Sequence, residues 1–236
     1  MVKPRDGLSV VRLGRLPYSE GIGLQDRVRD AVESGLIGPA LLLGEYEPTV
    51  TAGRRSAGSE MPMGRDWYVG RGIEVLDTDR GGRVTYHAPG QVVGYPVMRV
   101  DDAVGHVRAM ERAIIRALAG EGIDARSRSG EGSDYTGVWV QDRKIASIGV
   151  HLRRGISTHG FAVNVDMEME PWDWIVPCGL QATMTSVALE TGRGTDTARL
   201  GATLAEAWAG EIGEQPENID REGLERLLGG VAAGVA

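Results

Sequence analysis

The spacing of apolar residues changes along this chain, and that change limits the folds open to it. Leu24, Val28, Ala31, Val32 and Leu36 recur at helical spacing, and the helix they predict ends near Gly38-Pro39. Ala40 to Leu43 reads as a short buried strand, followed by a loop, GEYEPTVTAGRRS. A strand over Glu74 to Asp77 leads into the glycine-rich turn RGGRVTYHAPGQ, and an apolar run from Val92 to Met98 follows. Asp101 or Asp102 is placed to cap a helix that turns Val104, Val107, Met110, Ile114 and Leu118 inward and stops at Gly120 and Gly122. His106 falls on the polar face of that helix and reads as solvated.

Val138 to Val140 and Ile145 to Leu152 predict a hairpin turning at Gln141-Asp142-Arg143. His159 to Val165 alternates Phe161, Val163 and Val165 with smaller or polar residues, which predicts another strand. Two helices close the chain. The first carries Leu200, Leu204, Ala207, Trp208 and Ile212 on one face; the second is capped by Asp220, with Leu224, Leu227 and Leu228 inward. Strands dominate the middle and helices hold both ends, so the expected class is α+β, a mixed β-sheet flanked by helices. A length of 236 residues suits a single domain over 1–236, with 229–236 as a flexible tail.

No apolar run approaches the roughly 18 residues that cross a membrane. The first residues carry charge and proline where a signal peptide needs an apolar block, so a cytoplasmic location is expected. A net charge of −7 argues against nucleic acid as a partner. It leaves room for a local basic patch at Arg54, Arg55, Arg65, Arg71, Arg80 and Arg83 that an acidic partner could use.

Two scarcities point to chemistry. Cys178 is the one cysteine, which excludes an internal disulfide and a structural zinc site; with no H-x-x-x-H pair either, no metal is expected. Of 26 lysines and arginines only Lys3 and Lys144 are lysine. In a chain that otherwise uses arginine for positive charge, an internal lysine is a candidate for proton transfer, because its amine can be deprotonated and a guanidinium cannot.

Cys178 lies in the turn Ile175-Val-Pro-Cys-Gly-Leu180, where Gly179 allows close backbone approach and free N–H groups could meet an oxyanion. A thiol of ordinary pKa, near 8.5, is only a few per cent thiolate at neutral pH, so it needs an activator. Lys144, His87, His151 and His159 are candidates, and chemistry alone does not choose among them. The stretch Arg80 to His87 pairs glycines with polar and aromatic groups, as a loop close to a ligand would. It has neither phosphate-loop nor GxGxxG spacing, so no nucleotide cofactor is implied.

The blocks EPTVTAGRR, DTDRGGRVTYHAPGQVVGYP, DYTGVWVQDRKIASIGV, STHGFAVNV and VPCGL followed by TS occur in fixed order, and with them the chain resembles the octanoyl-[acyl carrier protein]:protein N-octanoyltransferases of lipoate biosynthesis over nearly its whole length. The resemblance implies the biotin/lipoate ligase catalytic-domain fold and a Cys/Lys dyad. Its nucleophile maps onto Cys178 and its lysine onto Lys144. Its substrate-binding residues map onto Arg80, Gly81, Gly82, Arg83, Val84, Thr85, Tyr86 and His87, onto Ser147, Ile148 and Gly149, and onto Gly160, Phe161 and Ala162. It implies octanoyl-acyl carrier protein as donor, the lipoyl domains of 2-oxoacid dehydrogenases and the glycine-cleavage carrier protein as acceptors, and no cofactor. One departure is Ala88, in a place the family gives to glycine; alanine fits there only if φ stays below zero.

Three other readings use the same residues. An ATP-dependent lipoate–protein ligase on this fold would not need the thiol. A non-catalytic acyl-carrier-binding protein would bind without an adduct. A thiol hydrolase using Cys178 with His159 or His87 would release free octanoate.

Overall fold

Leu8–Leu16 (β1) is the strand on which both ends of the chain converge: it pairs in parallel with Ala40–Tyr46 (β2) and with Pro216–Ile219 (β11). The structure, a computed structural model, describes residues 7–177 and 182–229. Between those strands lie Tyr18–Glu33 (α1), Thr49–Ala52 (β3), Arg65–Val69 (α2), Glu74–Asp77 (β4), Thr85–His87 (β5), Gln91–Val97 (β6) and Ala103–Ala119 (α3). Arg126–Ser127 (β7), Gly137–Val140 (β8), Arg143–Arg153 (β9), Ile156–Asn164 (β10), Val187–Thr191 (α4) and Thr197–Ile212 (α5) follow, and Arg221–Gly229 (α6) comes after β11.

Eight strands form one sheet in the order β11-β1-β2-β6-β10-β9-β8-β7, parallel around β1 and antiparallel from β2 onward. Alternation along the strands loads both faces. Val10, Leu41, Leu43, Val92 and Val163 pack against α3 and α5, while Val11, Leu42, Val93 and Ala162 pack against α1 and α6. A smaller sheet, β4-β3-β5, covers a third core that contains Val50, Tyr68, Tyr86, Trp172 and Met184. The expected mixed sheet flanked by helices is therefore the observed class.

Several local readings differ. The stretch expected to be a loop after Leu43 continues β2 to Tyr46 and then forms β3, whose four residues are all buried; a strand buried on both sides shows no alternation to read. β1 and β11 were not anticipated, because β1 is a mostly buried run broken by Arg12 and Arg15 and β11 is a short edge. Gly229 closes α6 and residues 230–236 lie outside the described residues, so the expected tail is not described beyond that glycine.

In α3, Asp102 is the cap, accepting from the N–H groups of Val104 and Gly105 at 3.0 Å. Val104, expected inward, is exposed, and His106, expected in solvent, is buried edge-on against Trp208. The buried stripe is the i+4 series 106, 110, 114, 118, so position 106 goes inward whatever its side chain. Burial lowers the His106 pKa to about 4. From the ordinary value near 6.5 down to that value, the unfolded chain holds a proton that the folded chain rejects, so acidification destabilises the fold. His87, lowered to about 3, acts in the same direction. Stability from urea melts should fall on going from about pH 7 to about pH 5, and His106→Leu should cut that fall by about 2 kcal/mol; an unchanged fall would contradict the burial argument.

Candidate active site

Two strand triplets that are far apart in sequence become cross-strand neighbours. In the antiparallel register of β9 and β10, Gly149 faces Gly160, Ile148 faces Phe161 and Ser147 faces Ala162. Their side chains and backbone line a cleft of about 570 Å³, counting space continuous with solvent. The loop from Arg80 to His87 closes over it, contributing Arg80, Gly82, Arg83, Val84, Thr85 and His87.

Gly81 and Tyr86 do not line the cleft. The Gly81 N–H donates to the Val150 carbonyl at 2.9 Å, which docks the loop onto β9, and Tyr86 turns into the third core, edge-on to Trp172. That docking needs glycine at 149: a Cβ there would lie 2.6 Å from the Gly81 carbonyl oxygen, closer than real Cβ contacts come.

Arg80 is buried, not part of a surface patch. Its Nη2 donates to the Thr51 carbonyl and hydroxyl oxygens, each at 2.8 Å. The Thr51 hydroxyl lies 3.4 Å from His87 Nε2, and His87 Nδ1 lies 2.8 Å from Gln91 Oε1. Gln91 Nε2 donates to the Tyr86 carbonyl and to Asn164 Oδ1, so its oxygen must be the acceptor facing His87, whose proton then sits on Nδ1. His87 is thus a neutral, doubly engaged ring that orders the loop, not a base with a spare nitrogen. Four of the other arginines expected to make a basic patch, Arg55, Arg65, Arg71 and Arg83, find local partners. Arg83 pairs with Glu60, Arg83 and Arg55 with Asp134, and Arg65 with Asp77, while Arg71 stacks 3.5 Å over Trp67. Ala88 is absent from the described non-glycine residues with positive φ, which meets the condition its side chain sets.

Lys144 lines the same cleft and is only 1% exposed. Its backbone is bound on two sides. It faces Trp139 across β8–β9, where the register shifts; its N–H donates to the Thr183 carbonyl, and its carbonyl accepts from the Thr185 N–H, both at 2.9 Å. Its Nζ lies 5.3 Å from the centre of the Trp139 ring. A Cβ at Gly137, which has φ +133, would sit 2.8 Å from Lys144 Cε, so the side chain is packed along its length. Glu111, itself buried, accepts the Gly137 N–H at 3.1 Å and ties this corner to α3. Cys178 and Gly179 lie outside the described residues; Thr183, five positions further on, is the described residue that meets Lys144.

Sequence reasoning passed over Asp79, the residue just before Arg80. Its carboxylate accepts from His159 Nε2 at 2.7 Å and from His151 Nδ1 at 2.6 Å, and the His159 bond first holds its pKa well below the usual carboxylate range. Tyr18 and Tyr95 also line the cleft, and no chemical motif marks either one. Among the described residues no cluster of His, Cys, Asp and Glu could hold a metal ion, and no described helix is long and apolar enough to cross a membrane.

The family model described as the lipoyl protein ligase A/B catalytic domain matches residues 17–209. The octanoyltransferase of Acidobacterium capsulatum is 40% identical over 201 residues, covering 78% of this chain and 80% of that protein. The octanoyltransferase of Solibacter usitatus is 42% identical over 181 residues, covering 75% and 80%. Among solved structures, a putative lipoate protein ligase from T. acidophilum has a TM-score of 0.72 at 18% identity, covering 97% of this chain and 95% of that one. A lipoate-protein ligase A bound with ATP has a TM-score of 0.70 at 18% identity, covering 98% and 95%. At those identities the structures establish the shared fold alone.

The close loop–strand contact generates a prediction. Gly149→Ala should destabilise the fold by about 1–3 kcal/mol in chemical denaturation, since backbone faces backbone there and neither can swing aside. Gly23→Ala, on the exposed side of α1 with open space around it, should be neutral or stabilising. Equal stability for the two variants would contradict the contact.

Proposed function

The chain belongs to the lipoyl protein ligase A/B catalytic-domain family, and to the octanoyltransferases within it; on that premise we propose that it moves an octanoyl group from acyl carrier protein to a lysine of a lipoyl-carrier domain, through a thioester on Cys178. The acceptors are the lipoyl domains of 2-oxoacid dehydrogenases and the glycine-cleavage carrier protein. The observation that carries the reading is Lys144, buried at the edge of a cleft with Ile148 and Phe161 in its wall, its backbone bonded to the segment that leads away from Cys178.

The chemistry follows from one mobile proton. Beside an ammonium, a thiol ionises more readily, because the pair is stabilised where water is scarce. The Cys178 thiolate attacks the octanoyl thioester, and the departing carrier thiolate takes its proton from the Lys144 ammonium. The neutral Lys144 amine then takes the proton that the acceptor amine loses as it attacks the acyl-enzyme, so the amide forms and the thiolate–ammonium pair is restored. Thioester exchange is nearly isoenergetic and amide formation runs downhill, so no nucleotide is required. Arginine could hold the charge but not give up the proton. Burying the acyl chain at about 0.8 kcal/mol per methylene favours eight carbons over short acyl groups by several kcal/mol.

Intact-mass spectrometry after mixing with octanoyl-acyl carrier protein should show a hydroxylamine-labile octanoyl adduct that Cys178→Ser lacks, followed by transfer to a lipoyl domain without ATP. Lys144→Met and Lys144→Arg should keep the fold and lose on the order of 100-fold or more in turnover. Lipoylation from free lipoate and ATP that survives Cys178→Ser would establish the ligase reading instead. Release of free octanoate would establish a hydrolase, and binding without an adduct a carrier-binding protein.

A further inference from the structure

A second hollow lies behind the cleft, and the two share only Tyr18 and His159 among their lining residues. The second holds about 840 Å³ counting open solvent, and its lining includes Asp26, Asp77 and Asp79. Its character is therefore opposite to the stretch of cleft walled by Val93, Ile148 and Phe161. Charged carboxylates keep water around them, and an acyl chain pushed among them would forgo the burial that holds it.

Each partition residue is fixed from several sides. Tyr18 is 1% exposed, stacked on His87 with ring centres 5.1 Å apart and tilted on Tyr46 at 4.9 Å. His159 is 4% exposed and edge-on to Tyr95, and its Nε2–H donates to Asp79. Its backbone takes the left-handed conformation, φ +57, and its N–H donates to Gln25 Oε1 at 3.0 Å. A histidine held in that conformation within a strand is strained by about 1 kcal/mol or more, so the surrounding bonds are what keep the ring in place.

The partition also stands at the far end of the cleft from the proposed chemistry. Lys144 is near the start of β9, whereas His159 pairs with Val150 further along that strand. A chain tethered near Lys144 and running along β9 and β10 would point its terminal methyl toward Tyr18 and His159. We infer that Tyr18 and His159 are the closed end of the acyl slot and set the upper limit on acyl length, as specificity-determining residues that take no part in the chemistry. The inference rests on the octanoyl-transfer reading.

The test is a competition between acyl chains. Octanoyl-, decanoyl-, dodecanoyl- and tetradecanoyl-acyl carrier protein are offered to the same preparation, and each acyl-enzyme is quantified by intact mass. The ratio of dodecanoyl to octanoyl adduct does not depend on the folded fraction, so partial unfolding of a variant does not blur the result. Tyr18→Ala removes one side of the wall. His159→Gly removes the other and suits the left-handed backbone, which keeps the test open should Tyr18→Ala fail to fold. In both variants the ratio should rise at least tenfold. Ile22→Ala, which enlarges only the hollow behind the wall, should leave it unchanged.

Wall variants that take up octanoyl at the wild-type ratio would overturn the inference, as would an Ile22→Ala protein that admits longer chains. If the wild-type protein forms no octanoyl adduct at all, the proposed function fails and not the wall.

Discussion

Lys144 is fixed through its backbone. One neighbour is β8, and the other is the stretch from Thr183 to Thr185, which pairs with it as a short parallel bridge. The stem of this buried side chain packs against Trp139 and Gly137, and Glu111 ties Gly137 to α3. The same two backbone bonds join the segment after Cys178 to the central sheet. One local pairing thus sets where the amine sits and which part of the chain returns to it.

The cleft extends from that corner by strand pairing alone. Antiparallel register brings Ser147, Ile148 and Gly149 beside Ala162, Phe161 and Gly160, and close backbone contact at Gly149 lets the Arg80 loop form a roof. The roof is stiffened by a hydrogen-bonded series from Arg80 through Thr51, His87 and Gln91 to Asn164. These groups are buried and mutually satisfied, which is the condition under which polar side chains stabilise a site. His87 and Arg80 belong to that support, and the remaining slot is walled largely by apolar side chains and glycine.

Helical periodicity revealed α1, α3, α5 and α6 but not the five-residue α2 and α4, which are too short to show a period, and alternation revealed the β10 strand. Strands buried on both faces hid, as at β3, and a polar side chain on a buried stripe misled, as at His106. Glycines beside polar residues marked the Arg80 loop and the scarcity of lysine marked Lys144, whereas Ser147 to Gly149 and Gly160 to Ala162 were implied only by the family resemblance. Asp79, Tyr18 and Tyr95 were not marked, since one carboxylate and two tyrosines carry no signature until the fold brings them to a common wall.

The thiol is the most direct place to test the account, because Cys178 is the chain's single cysteine and any alkylation reports on it alone. The rate of iodoacetamide labelling against pH, in the native protein and in Lys144→Met, reads its acidity. The account predicts a native midpoint well below the ordinary thiol value of about 8.5 that climbs by a unit or more when the amine is removed. Identical midpoints in the two proteins, both near the ordinary value, would contradict it.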